Sequence, residues 1–153
     1  MKTGPLKSML LIYWLSIVNK NMALVGHFPF ISKLRSIVRQ LWVIEQHPVE
    51  GEYPTESAVD LIPQADVVAI TSSTLINHTL EGLLPLCRPE AMVMMLGPST
   101  PLSPVIFNHG ATILSGVRIV DEAAVLRTVG QGATFQQVEG VRLLNYRRNE
   151  WNS

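Results

Sequence analysis

Five short stretches of this chain are apolar at almost every position. They are "NMALVG" at 21–26, "LWVIE" at 41–45, "ADVVAIT" at 65–71, "AMVMMLG" at 91–97 and "ATILSGVRIV" at 111–120. A strand that buries one face alternates between apolar and polar, whereas a strand covered on both faces is continuously apolar. Between the runs lie segments of helical or turn character. "FISKLRSIVRQL" sets Ile31, Leu34, Ile37, Val38 and Leu41 at helical spacing, with Lys33, Arg35 and Arg39 between them. Pro54–Thr55 starts a helix that Pro63 limits, "LINHTLEGLLPLC" reads as one helix, and "LSPVIFNHG" closes at Gly110 as a C-cap. Asp121 is an N-cap candidate for the helix that follows. This alternation predicts an α/β domain: a doubly wound, mainly parallel five-stranded sheet with helices on both faces.

The length of 153 residues fits one domain. Hydrophobic residues make up 47% and charged residues 16%. So low a charge content fits a sheet covered on both faces or a surface hidden against a partner, and it excludes a disordered chain. Lys+Arg and Asp+Glu are both 12, so no basic field attracts nucleic acid. "RLLNYRRNEW" near the end is locally basic and is read as a solvated terminus. A single cysteine, Cys87, rules out an intrachain disulfide and suits a reducing cytoplasm. "MLLIYWLSIV" (Met9–Val18) is too short to cross a bilayer, which takes about 20 residues, so no membrane partner is expected. Residues 1–18 are set apart as an N-terminal apolar segment, either a remnant of a missing domain or an interface element, and 19–153 as the α/β domain. In the segment, Leu11, Tyr13, Trp14 and Ile17 offer the aromatic and aliphatic core that a homodimer would use.

In open α/β sheets ligands bind outside the carboxyl ends of the strands. The polar residues gather there. Gly26, His27 and Phe28 follow the first run, Glu45 and His47 the second, and Thr71, Ser72, Ser73 and Thr74 the third, with Asn77 on the next helical turn. Gly97, Pro98, Ser99 and Thr100 follow the fourth. Each residue singly has a local explanation. Ser73 or Thr74 would cap a helix, as would Ser99 or Thr100, and Thr79 would bond its own backbone. Together they mark the expected ligand edge. "GHFPFI" lacks the G-x-G-x-x-G of a dinucleotide loop, while Glu45 stands where an acid contacts a ribose hydroxyl. His27, Glu45 and His47 are the candidate metal ligands, forming at best a weak site because no pair has metal-site spacing.

"VGHFPF", "VIEQHP", "ADVVAITSSTLINHTLEGLL", "VMMLGPSTPLSPVIFNHG" and "SGVRIVD" together resemble the heavy-metal chelation family of bacteria and archaea. The resemblance covers about residues 19–135, and its specificity lies in the combination of G-H-F-P, T-L-x-N-x-T-L and L-G-P-S-T-P. It implies a Rossmann-like domain similar to methyltransferase folds of corrinoid synthesis. It also implies a second, enolase-N-terminal-like domain, with the site in the cleft between the two. Only about 18 residues precede the first strand, so that domain is expected to be absent or supplied by a separate chain.

Three functions are consistent with these residues. The first is a binding protein for a small molecule or metal complex, open to transferase or chelatase-like chemistry, with the cofactor left between a divalent metal and an S-adenosylmethionine-like nucleoside. The second is a nucleoside or S-adenosylmethionine-binding transferase-like protein. The third is a non-catalytic or truncated subunit. No nucleophile–base pair is visible, which leaves catalysis open.

Overall fold

The computed structural model of the chain describes residues 13–151. One seven-stranded sheet organises them. The strands are β1 (Asn21–Val25), β2 (Gln40–Glu45), β3 (Tyr53–Pro54), β4 (Val67–Thr71), β5 (Met92–Leu96), β6 (Ile113–Ile119) and β7 (Val141–Arg147). Their order is β3-β2-β1-β4-β5-β6-β7. All neighbouring pairs are parallel except β6 and β7, which run antiparallel over seven residue pairs from Ile113↔Arg147 to Ile119↔Val141. The chain therefore winds outward from β1 through β2 to β3, then returns past β1 and winds the other way from β4.

The expectation of five strands is corrected to seven. β3 is two residues long, too short to show a pattern. β7 is an edge strand that is only half-buried, so "VRLLNYR" keeps arginines at both ends and lacks the continuous apolar run of an inner strand. The segment read as a solvated basic terminus is this strand.

Among the described residues seven short α-helices accompany the sheet: α1 (Trp14–Ile17), α2 (Ile31–Arg35), α3 (Ala58–Leu61), α4 (Ser73–Ile76), α5 (Leu80–Leu83), α6 (Pro104–Asn108) and α7 (Glu122–Gly130). Strand residues alternate between two cores. Ala23, Val25, Ile44, Val68, Ile70, Val93 and Met95 pack with Ala58 and Ile62 around α3, Leu80 and Leu83 of α5, and Phe107 of α6. Met22, Leu24, Val43, Val67, Ala69, Met94 and Leu96 pack on the other face with Tyr13, Ile17, Phe28, Phe30 and Leu34. Apolar side chains at consecutive positions thus serve opposite faces, which is why the runs are unbroken.

Several local expectations hold and others shift. Asp121 caps α7, accepting the Ala124 N–H at 3.0 Å. Gly110 ends α6 with φ +108. α6 is capped by Ser103 rather than Ser99 or Thr100, its hydroxyl accepting the Val105 N–H. α2 stops at Arg35, and Leu41 belongs to β2. The single helix expected after β4 is two, α4 and α5, broken where His78 takes φ +60. Residues 1–12 of the apolar N-terminal segment lie outside the described residues. Its end, Tyr13 and Ile17, is buried against the sheet of the same chain. Among the described residues no helix is long and apolar enough to cross a membrane.

Candidate functional site

β1 is flanked by β2 and β4, so successive connections leave it in opposite directions and a crevice opens at its carboxyl end. A cavity of about 90 Å³ lies there. Its walls come from the ends of three strands and the turns beyond them: Val25 and Gly26, Ile44, Glu45 and Gln46, Thr55, Thr71, Ser73 and Thr74, then Asn77, Thr79 and Leu83. The apolar floor belongs to the α3–α5–α6 core, since Val25, Ile44 and Leu83 are its members.

The rim is polar and partly self-bonded. Thr71 Oγ1 and Ser73 Oγ lie 3.1 Å apart. Thr74 is buried and donates its hydroxyl to the Thr71 carbonyl at 2.7 Å, so it ties the turn to the strand instead of capping α4. Asn77 Oδ1 accepts from the Thr79 hydroxyl at 2.7 Å and the Thr79 N–H at 3.3 Å. Thr79 therefore bonds a neighbouring side chain, and among the described residues the Asn77 amide nitrogen has no partner. Glu45 lines the cavity, and its Oε2 accepts the Gln46 N–H at 3.0 Å. Gly26 holds φ +113, and a Cβ there would lie 2.9 Å from the Thr71 side chain, so only glycine lets β1 and β4 close on this crevice.

Of the residues expected at the ligand edge, Gly26, Glu45, Thr71, Ser73, Thr74 and Asn77 line one cavity. The others do not. Phe28 is buried on the opposite face, stacked on Phe30 with centroids 5.1 Å apart. Ser72 is buried directly beneath Gly97, whose φ is +132 and where an added Cβ would strike the Ser72 hydroxyl. That contact fills the gap between β4 and β5, so Gly97, Pro98, Ser99 and Thr100 stay outside the cavity. Thr55 and Thr79 were missed by sequence reasoning. Thr79 falls inside an apparent helix, and Thr55 follows a strand too short to recognise.

His27, Glu45 and His47 are not brought together. His27 Nδ1 lies 2.9 Å from Glu52 Oε1, because the turn at Gly51 (φ +84) carries Glu52 back toward the end of β1. The Glu52 side chain is 5% exposed and that of His27 63%. Glu52 Oε2 accepts the Val49 N–H at 3.1 Å, so both carboxylate oxygens are engaged. Among the described residues no group of three or more His, Cys, Asp or Glu side chains is placed to hold a metal ion. Burial pushes the Cys87 thiol up to about 11, so at neutral pH it stands as the protonated thiol.

Three other depressions among the described residues are larger, one of them, of about 340 Å³, beside β6 and β7 with Leu102, Val117 and Tyr146 in its walls. One of about 330 Å³ lies at the amino-terminal edge, lined by Tyr13, Glu90, Met92, Thr112, Arg147 and Arg148 among others. One of about 500 Å³ is a mostly apolar groove between α5 and α6, with Leu75, Leu84, Val105 and Ile106 in its walls. By volume, then, the polar depression at the amino edge exceeds the cavity at the carboxyl edge. What distinguishes the latter is convergence, because three parallel strands end on it.

The model of the family described as "Putative heavy-metal chelation" matches residues 15–148. This chain belongs to that family, DUF364. An uncharacterized protein of Methanocaldococcus jannaschii is 27% identical over 108 residues, which cover 67% of this chain and 42% of that protein. A crystal structure of a DUF364 protein of unknown function from Desulfitobacterium hafniense is 31% identical with a TM-score of 0.82, covering 90% of this chain and 56% of that one. A second DUF364 protein of unknown function, from Pyrococcus horikoshii, shares the fold at 16% identity and a TM-score of 0.74, covering 84% of this chain and 55% of that one. The chain thus spans about two fifths of the curated relative it matches and a little over half of each solved one. The activity of DUF364 proteins is not established.

Proposed function

We propose that this chain binds a small molecule or a metal complex at the carboxyl edge of a doubly wound, Rossmann-like sheet. The observation that carries the reading is the cavity where β1, β2 and β4 end together, with Glu45, Thr71, Ser73, Asn77 and Thr79 on its rim. Hydroxyls, one carboxylate and two amides, Gln46 and Asn77, on an apolar floor suit a ligand rich in hydroxyl or amine groups. A cavity of about 90 Å³ takes only part of such a ligand, since pockets that enclose one measure roughly 300–1,000 Å³. Cover for the rest comes from a second unit, another chain or a second copy of this one. The family description favours a metal complex. Glu45 favours the alternative ligand, a nucleoside such as S-adenosylmethionine, because an acid at the end of the second strand is placed for ribose hydroxyls.

Thermal unfolding with a panel of metal chelates and nucleosides tests both. A ligand that binds only the folded chain stabilises it by about 2.7 kcal/mol at a hundred times its Kd. The expected result is stabilisation by one class of ligand that Glu45→Gln or Asn77→Ala abolishes. Stabilisation that survives both but is lost in Arg148→Ala would move the site to the amino-terminal edge and overturn the reading.

A further inference from the structure

β7 pairs β6 along its whole length, but β5 pairs β6 only from Ile113 to Ser115. Residues 116–119 and 141–144 therefore run on past the end of β5 as a two-stranded ribbon. The register sets Arg118 opposite Arg142. Directly opposed residues of an antiparallel pair share one face, with Cβ atoms about 4.5–5.5 Å apart, and like charges so placed destabilise the pair. Among the described residues neither guanidinium has an ion pair or a hydrogen bond. The acids closest to them in sequence are engaged elsewhere, since Asp121 accepts the Ala124 N–H and Glu139 pairs with Arg127 at 2.7 Å. Charge on an edge strand deters pairing with another sheet, which accounts for Arg142 on β7. It does not account for Arg118 on β6, a second cation set against the first.

The same face carries the depression of about 340 Å³. Leu102 and Leu144 form an apolar floor, Tyr146 and Trp151 an aromatic wall, and Arg118 is its one charged lining residue. Gly116 admits that floor, because a Cβ there would lie 2.9 Å from the Thr100 carbonyl oxygen and 3.1 Å from the Leu102 side chain. Tyr146 and Trp151 meet edge to face with centroids 5.1 Å apart. Arg118 stands four residues along β6 from Leu114, the partner of Tyr146, which is about 13 Å of strand. The cations and the aromatic wall thus lie at opposite ends of one concave face.

We propose that this face is a second binding site, for an organic anion. Arg118 and Arg142 hold a carboxylate or phosphate, and an apolar or aromatic body lies over Leu102 and Leu144 against Tyr146 and Trp151. The planar guanidinium fork matches either oxyanion, and an anion between two arginines offsets their repulsion. The volume of about 340 Å³ falls within the roughly 300–1,000 Å³ of small-ligand pockets. The crevice at the end of β1 has Glu45 as its one charged lining residue and suits a different ligand, so this site stands independently of that reading.

The test uses the full chain with phenylbutyrate as the probe, phenyl phosphate in a parallel arm and phenylbutanol as the neutral control. Binding is read by calorimetry and by the Trp151 indole N–H resonance, assigned through Trp151→Phe. The expected result is a saturable shift of that resonance with at least one anion, about tenfold weaker with the alcohol, and a loss of affinity as ionic strength rises. The tighter anion decides between carboxylate and phosphate. Arg118→Gln and Arg142→Gln each weaken anion binding about tenfold. Both leave the unfolding midpoint unchanged or higher, because they relieve a like-charge pair, so lost binding is not lost folding. Arg148→Gln, the same change of charge at the amino-terminal edge, leaves binding as in wild type. No saturable shift with either anion, an equal response to the alcohol, or binding intact in both Arg118→Gln and Arg142→Gln would overturn the proposal. Binding lost in Arg148→Gln alone would place the anion at the other edge and overturn it too.

Discussion

Thr100 carries a buried hydroxyl with no hydrogen-bond partner among the described residues. Leaving such a group unsatisfied costs roughly 1–3 kcal/mol, and exchanging it for a methyl of the same shape removes that cost. Thr100→Val should therefore raise the unfolding free energy by about 1 kcal/mol, measured by urea denaturation; a loss of similar size would mean the hydroxyl has a partner in solution. At this scale the sequence was legible wherever a residue's role depends on its position along one element. Asp121 announces a helix start, and Glu45 announces the end of a strand. It was not legible where the role depends on a neighbour in space. Ser72 and Ser73 are adjacent and chemically identical, yet one is locked under Gly97 and the other faces the cavity. His27 looked like a partner for Glu45 and His47 until the turn at Gly51 gave it Glu52.

α1 is four residues long, too short to be stable alone, and it persists because Ile17 and Tyr13 are buried against the sheet. Ile17 is 0% exposed, so Ile17→Ala should cost about 2–5 kcal/mol, read as a lower denaturation midpoint at unchanged slope. A midpoint within experimental error of wild type would remove α1 from the core. A second tie joins elements at the amino ends of the strands. The Asp66 carboxylate accepts the Asn21 N–H at 2.9 Å and pairs with Arg88 at 2.7 Å, linking β1, β4 and the segment before β5. The Asn21 bond first, and Arg88 after it, hold this carboxyl below the usual carboxylate range. A carboxyl that ionises more easily when folded stabilises above its unfolded pKa of about 3.9 and loses that contribution as pH falls through its lower folded value. Asp66→Asn should thus be less stable than wild type at neutral pH, with the gap narrowing as pH falls below about 4; a gap that stays constant as pH falls would contradict the linkage. Inner strands were legible as elements because burial on both faces leaves an unbroken apolar signature. β7 was not, because half of its surface meets solvent and its register is set entirely by β6.

Across the whole molecule the two directions of winding meet at β1, which pairs β2 on one side and β4 on the other. Slowest amide exchange is expected in β1, β4 and β5, whose residues are almost all buried, and fastest in β3 and β7 at the two margins. Hydrogen exchange in which β7 outlasts β1 would contradict that order. The alternation that fixed the fold class was visible because it is a property of the full chain. The cavity's membership was not, since it depends on which strand ends become neighbours. There is a consequence for how the protein is made. A ribosome delivers the amino end first, at about 5–20 residues per second, so β1 emerges before both of the strands it pairs with, β2 and β4. Until Val67–Thr71 emerges, one flank of β1 has nothing to pair with, and an apolar edge is open to chaperones or to a neighbouring nascent chain. Protease resistance on arrested ribosomes should therefore appear abruptly once β4 has cleared the exit tunnel, not gradually from the first helix onward. Resistance already present in chains that end before residue 65 would show that the first half needs no such completion.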